Sequence, residues 1–263
     1  MKRLRLINTV ALAVMLIVNL LANVLPIGGN TTAQVSEAYP NLFTPAPYTF
    51  AIWGVIYLMM VGFILYQWGL FDRGAYSDTV RERAGIWFTV SCAMNVGWVF
   101  AWHFRAIFLS LIFICGLLLS LVILYKRIRG ADGSGLKKFF GDTGFALYLG
   151  WIIAATIANV SALLVSLSWG GWGLSSSLWT VIVILAATAI GLIAVLWDKS
   201  PMTGLAIAWA LGGILVKHLS SAGHNGAYPF VIAASIIGMV LILCGIVMNI
   251  MHCKTKCEAE TFE

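Results

Sequence analysis

Asn95 and Trp98 stand three residues apart in one apolar stretch, and Trp151 and Asn159 stand eight apart in another. On an α-helix both spacings turn the two side chains toward a common face. A tryptophan supplies a flat aromatic wall, and an amide beside it supplies both a donor and an acceptor. Such pairs could grip a flat apolar molecule with a polar edge. The same amides in hydrocarbon also tie helices together, at about 1 kcal/mol each. Trp53 and Trp209 lie comparably deep in apolar runs, and Trp102 follows Trp98 by one turn. No other residues suggest reaction chemistry. The sequence has no recognisable nucleophile with its base, no phosphate-binding glycine loop and no metal motif, so catalysis is not the expected role and no cofactor is required.

The elements that must carry these residues are set by composition. Of 263 residues, 61% are hydrophobic and 10% charged, against about 25% charged in a soluble domain. Apolar runs near 5–25, 47–69, 86–103, 106–126, 144–167, 176–197, 201–217 and 228–251 are apolar on all sides, and a bilayer core needs about 20 such residues. The expected fold is therefore all-α, a polytopic membrane helix bundle of about eight spans, the seventh being the shortest. The first run has a basic start like a signal peptide, but Asn23 and Val24 make a poor cleavage site, so it reads as an uncleaved helix.

Lys and Arg concentrate on the cytoplasmic side of a membrane. With the N-terminus inside, fourteen fall in inner segments and only Arg105 and Lys217 outside, which places both termini in the cytoplasm. All ten acidic residues fall in connectors or tails, unlike ion-coupled transporters, which keep ionisable groups at membrane depth. The net charge of +6 sits in short connectors without interleaved aromatics, so nucleic acid is not an expected partner. Trp68, Trp87, Trp169, Trp172, Trp179 and Trp197 fall near span ends and suit the headgroup belt.

The outer connector 26–46 is stiffened by Pro26, Pro40 and Pro45, and Thr31 with Gln34 has capping-box spacing for a short helix ending before Pro40. His103, His218 and His224 map to the outer side and could ligate a metal or haem iron, although no ligand spacing joins them. The run Ser221-Ala222-Gly223-His224-Asn225-Gly226 reads more simply as a turn. Cys253 and Cys257, just past the last run and after His252, are read as plain thiols with acylation or metal binding as the alternatives.

Three stretches resemble a known family. Thr44-Pro45-Ala46-Pro47-Tyr48-Thr49-Phe50-Ala51-Ile52-Trp53-Gly54-Val55-Ile56-Tyr57 looks like the loop and second helix of the tryptophan-rich sensory proteins, which include the translocator protein or peripheral benzodiazepine receptor. Asn95-Val96-Gly97-Trp98 resembles the third-helix element of that family, and Trp151 through Asn159 the fifth-helix element. The resemblance covers roughly residues 5–167, which implies a five-helix bundle over 1–168 and a three-helix membrane extension with a short tail over 169–263. Here Pro45 and Pro47 are split by Ala46, where the family has adjacent prolines with a tryptophan close by.

The resemblance implies a ligand pocket walled by Trp53, Asn95, Trp98, Trp151 and Asn159, with Pro45, Pro47, Phe50 and Tyr57 contributed by the loop and second helix. The implied ligand is a porphyrin or haem-like tetrapyrrole, or a sterol. The expected function is thus a membrane receptor or carrier for a flat hydrophobic ligand. A permease using all eight helices and a ligand-free membrane scaffold are the alternatives. Expected partners are the bilayer, a hydrophobic small molecule and a second copy in a homodimer, in a bacterial-type cell membrane.

Overall fold

The computed structural model describes residues 2–25, 27–70, 82–129 and 139–260, with side chains as far as His252. Expectations resting on Pro26, Asp72, Arg73, Asp78, Arg81, Asp132, Lys137, Lys138, Cys253, Cys257 and the tail charges lie outside the described residues. The chain forms α1 (Lys2–Val24), α2 (Thr32–Glu37), α3 (Ile52–Gln67), α4 (Trp87–His103), α5 (Ile107–Ile128), α6 (Gly144–Ser166), α7 (Ser176–Leu196), α8 (Pro201–Leu219) and α9 (Pro229–Glu260). Every element of the described residues is helical or a turn, as an all-α bundle requires.

Local chemistry explains where these helices begin. The Thr31 hydroxyl accepts from Gln34 N–H at 3.3 Å, and the Gln34 side chain accepts from Thr31 N–H at 2.8 Å. This is the capping box expected from the sequence, and α2 ends before Pro40. Ser175 caps α7 through Leu178 N–H, and α8 opens on Pro201, whose missing N–H would have had no helical partner. Thr31→Ala should lower the stability of α2 by about 1 kcal/mol, read as faster amide exchange at Gln34 with α1 unaffected.

Seven helical segments are long and apolar enough to cross a membrane among the described residues: Lys2–Val24, Pro47–Gln67, Ile107–Ile128, Phe139–Ser166, Ser176–Leu196, Pro201–Leu219 and Pro229–His252. The eighth expected span, α4, has 17 residues and rises about 26 Å against a hydrocarbon core of about 30 Å. The short helix is therefore α4 and not the seventh span, which runs two residues further than read, to Leu219. Asp142, read as a connector residue, lies in a π turn (Phe139–Thr143) that runs straight into α6. The chain is a multi-pass helical membrane protein. The cytoplasmic placement of both termini is tested by a cysteine-free background carrying Glu37→Cys or Lys126→Cys, both at exposed positions. An impermeant maleimide should label the first and spare the second in intact cells, and equal labelling would reverse the assignment.

The chain divides into two compact units, one of Met1–Pro40 with Phe50–Trp169 and one of Asn41–Thr49 with Gly170–Glu263. In the first, α1 packs on α3 and α4, α2 on α4, α4 on α5, and α6 on both α3 and α5. Buried amides tie these contacts. Asn8 donates to Gln67 at 3.4 Å and accepts from Thr89 at 2.8 Å, while Asn19 donates to Asn95 at 2.7 Å. In lipid the apolar faces gain little by leaving the solvent, so such bonds and close packing carry the association.

In the second unit α7, α8 and α9 pack on one another, and Asn249 donates to the Val195 carbonyl at 3.0 Å. Segment 41–49 belongs to this unit, although it precedes α3 in sequence. It is strapped to α8 by three hydrogen bonds. Ala46 N–H reaches the Gly213 carbonyl at 3.0 Å, Trp209 Nε1–H the Thr49 carbonyl at 2.9 Å, and His218 Nε2–H the Leu42 carbonyl at 2.9 Å. Tyr48 meets the Trp209 ring edge-on at 5.8 Å.

Candidate functional site

Trp53, in the first turn of α3, is the hub of an aromatic cluster in the first unit. It stacks on Tyr57 at 5.5 Å with 23° between planes, and meets Trp98 of α4 at 6.1 Å, Tyr148 of α6 at 5.8 Å and Trp151 of α6 at 6.1 Å. Phe50 packs edge-on against Trp151 at 5.9 Å, and Trp98 stacks on Trp102 at 5.8 Å. Edge-to-face and offset pairs at these separations are favourable beyond area alone. The sequence spacing explains the alignment. Trp53 and Tyr57 are four apart, Trp98 and Trp102 four apart, and Tyr148 and Trp151 three apart, so each helix presents its rings on one face.

One amide joins the cluster. Asn95, fully buried, donates to the Tyr148 hydroxyl at 3.0 Å and accepts from Asn19. Its polar capacity goes largely into holding Tyr148 against Trp53. Asn159 is elsewhere. Its amide pairs with Ser110 of α5 at 3.0 Å, and eight residues from Trp151 amount to about 12 Å along the axis. A shared face is not a shared depth, and Asn159 acts here as a tie between α5 and α6. Pro45 is buried and Pro47 exposed, and both sit in the strap that belongs to the second unit. Of the nine expected site residues, the structure brings together Phe50, Trp53, Tyr57, Asn95, Trp98 and Trp151.

One contributor escaped the sequence reading of the site, Tyr148, while Trp102 was seen only as the ring one turn after Trp98. Tyr148 had a readable signal in its one-turn spacing from Trp151. Trp102 donates to the Thr32 carbonyl at 3.2 Å and faces Tyr39 at 6.5 Å, so α2 packs against the Trp102 end of the cluster.

The indole nitrogens divide sharply. Trp68, Trp102, Trp179 and Trp209 each donate, to Thr9, Thr32, Gly171 and Thr49. The Trp98 and Trp151 N–H groups are buried without an acceptor, and an unmet buried donor costs about 1–3 kcal/mol. Both flank Trp53. No three His, Cys, Asp or Glu side chains gather in a metal-holding group among the described residues.

The sequence pattern of the family described as TSPO-like protein matches residues 5–248. The chain belongs to the TSPO-like family. Comparison with curated proteins and with solved structures found no match. The family match in this TSPO-like protein runs beyond the five helices that carried the resemblance, through α7 and α8 and most of α9. The three C-terminal helices thus lie inside the family's extent.

Proposed function

We propose that this TSPO-like protein is a membrane receptor or carrier that binds a flat hydrophobic ligand, a porphyrin or similar tetrapyrrole or a sterol, against the Trp53 cluster. The observation that carries this reading is the pair of buried, unmet indole donors at Trp98 and Trp151 on either side of Trp53. An apolar core filler needs no such donors. A ligand presenting oxygen or nitrogen acceptors at its edge would satisfy them while its face lies on the rings. Asn95 is committed to Tyr148 and Asn19, so it positions the wall and leaves recognition to the indoles.

Protoporphyrin IX titrated into purified protein should quench tryptophan fluorescence saturably. Trp98→Leu should weaken binding several-fold, for a lost aromatic contact of about 0.5–1.5 kcal/mol beyond area. Trp172→Leu removes a ring that is 81% exposed and should leave binding unchanged. Equal affinities in two folded variants would move the site away from the cluster, and porphyrin flux in proteoliposomes without saturable binding would favour a permease.

A further inference from the structure

The connector between α8 and α9 lays one histidine beside another. The Lys217 carbonyl accepts from His224 N–H at 3.0 Å and the His218 carbonyl from Gly226 N–H at 2.8 Å, so residues 220–226 fold back over the end of α8. The reversal depends on Gly223, because a Cβ there would run into the Lys217 carbonyl. As a result the His218 and His224 rings lie 4.5 Å apart with planes tilted by 34°. Tyr228 meets both edge-on, at 5.6 and 5.3 Å.

The hydrogen bonding fixes which nitrogens are free. His218 Nε2 is 2.9 Å from the Leu42 carbonyl. A carbonyl can only accept, so Nε2 carries the proton and Nδ1 of the neutral ring is left with its lone pair. His218 is fully buried, and its Nδ1 has no partner. His224 Nε2 is likewise buried and unpartnered. A ring oriented through one nitrogen by a backbone carbonyl, with the other nitrogen bare, is how proteins preset a metal-ligating histidine.

We propose that His218 Nδ1 and His224 Nε2 form a two-histidine site for a divalent transition ion that prefers imidazole, such as Cu(II), Ni(II) or Zn(II). Solvent completes the coordination sphere through half-buried His224. No carboxylate joins the pair among the described residues, so Ca2+ and Mg2+, which need several oxygen ligands, do not fit.

The test uses the full chain in detergent, with any affinity tag removed and metals stripped by chelator, titrated with CuCl2. One Cu(II) per chain should bind, with coupling to two imidazole nitrogens in the electron paramagnetic resonance spectrum. His224→Gln should leave one such nitrogen. It should weaken binding by at least the roughly tenfold that losing an orienting partner costs a metal site. His252→Gln should change neither readout. Should His224→Gln not fold, carbethoxylation of the wild type is the second measurement: Cu(II) should protect half-buried His224 and leave exposed His252 reactive. No stoichiometric ion, or two-nitrogen coupling that survives in folded His224→Gln, would overturn the site, as would protection of His252 alone.

Discussion

Trp53→Ala is expected to lower the stability of the first unit by about 3 kcal/mol and to abolish saturable porphyrin quenching. The ring is 8% exposed and touches Tyr57, Trp98, Tyr148 and Trp151, so its removal leaves a cavity bounded by three helices. Burying Trp elsewhere is worth 3–5 kcal/mol on truncation to alanine. The lower end applies here because the chain leaves hydrocarbon for hydrocarbon, and only packing is lost. Trp53→Phe should recover most of the stability, since a ring still fills the hub. Equal melting temperatures for Trp53→Ala and wild type in the same detergent would mean that the cluster is not packed around Trp53.

The second large effect concerns the strap. A Cβ at Gly213 would collide with the Thr49 side chain, whereas one at Gly212 would meet only Met239 Sδ at 3.7 Å, an ordinary contact. Gly213→Ala should therefore lift segment 41–49 from α8 and break its three hydrogen bonds. At about 1 kcal/mol each, this is roughly 3 kcal/mol, or on the order of a hundredfold in the opening equilibrium. Amide exchange at Ala46 should accelerate accordingly, with Gly212→Ala close to wild type. If both alanines exchange alike, the strap is not held by close approach at Gly213.

What could be read in advance was whatever depends on neighbours in sequence. The capping box at Thr31 and Gln34 is a three-residue signal and stands as read; Asn95 with Trp98 is a one-turn signal, and the structure gives Asn95 to Tyr148 and Asn19. Apolar runs and charge asymmetry gave a polytopic bundle without any contact being known. Periodicity gives direction around a helix but not distance along it, which is why Asn159 was grouped with Trp151 and is found tied to Ser110. The strap was illegible, because its partners Trp209 and His218 lie 160 and 176 residues further on and no local pattern marks them. The run holding His224 read as a turn, and nothing in it showed that the ring would meet His218, because the backbone reversal at Gly223 decides that contact. The length of α4 was legible to within one residue, and it falls two residues short of the shortest of the seven longer segments, Pro201–Leu219 with 19.

The strap also imposes an order of events during synthesis. Residues 41–49 leave the ribosome about 160 residues before Trp209 exists, an interval of roughly ten to thirty seconds at ordinary elongation rates. Throughout that time Thr49 and Ala46 have no α8 to bond with, while Phe50, the next residue along, gains its partner Trp151 before Trp209 is made. The nascent chain must therefore insert its first helices with this stretch unanchored and secure it last. An arrest or premature stop after α6 would release a chain whose front end is complete in sequence yet has never been fastened.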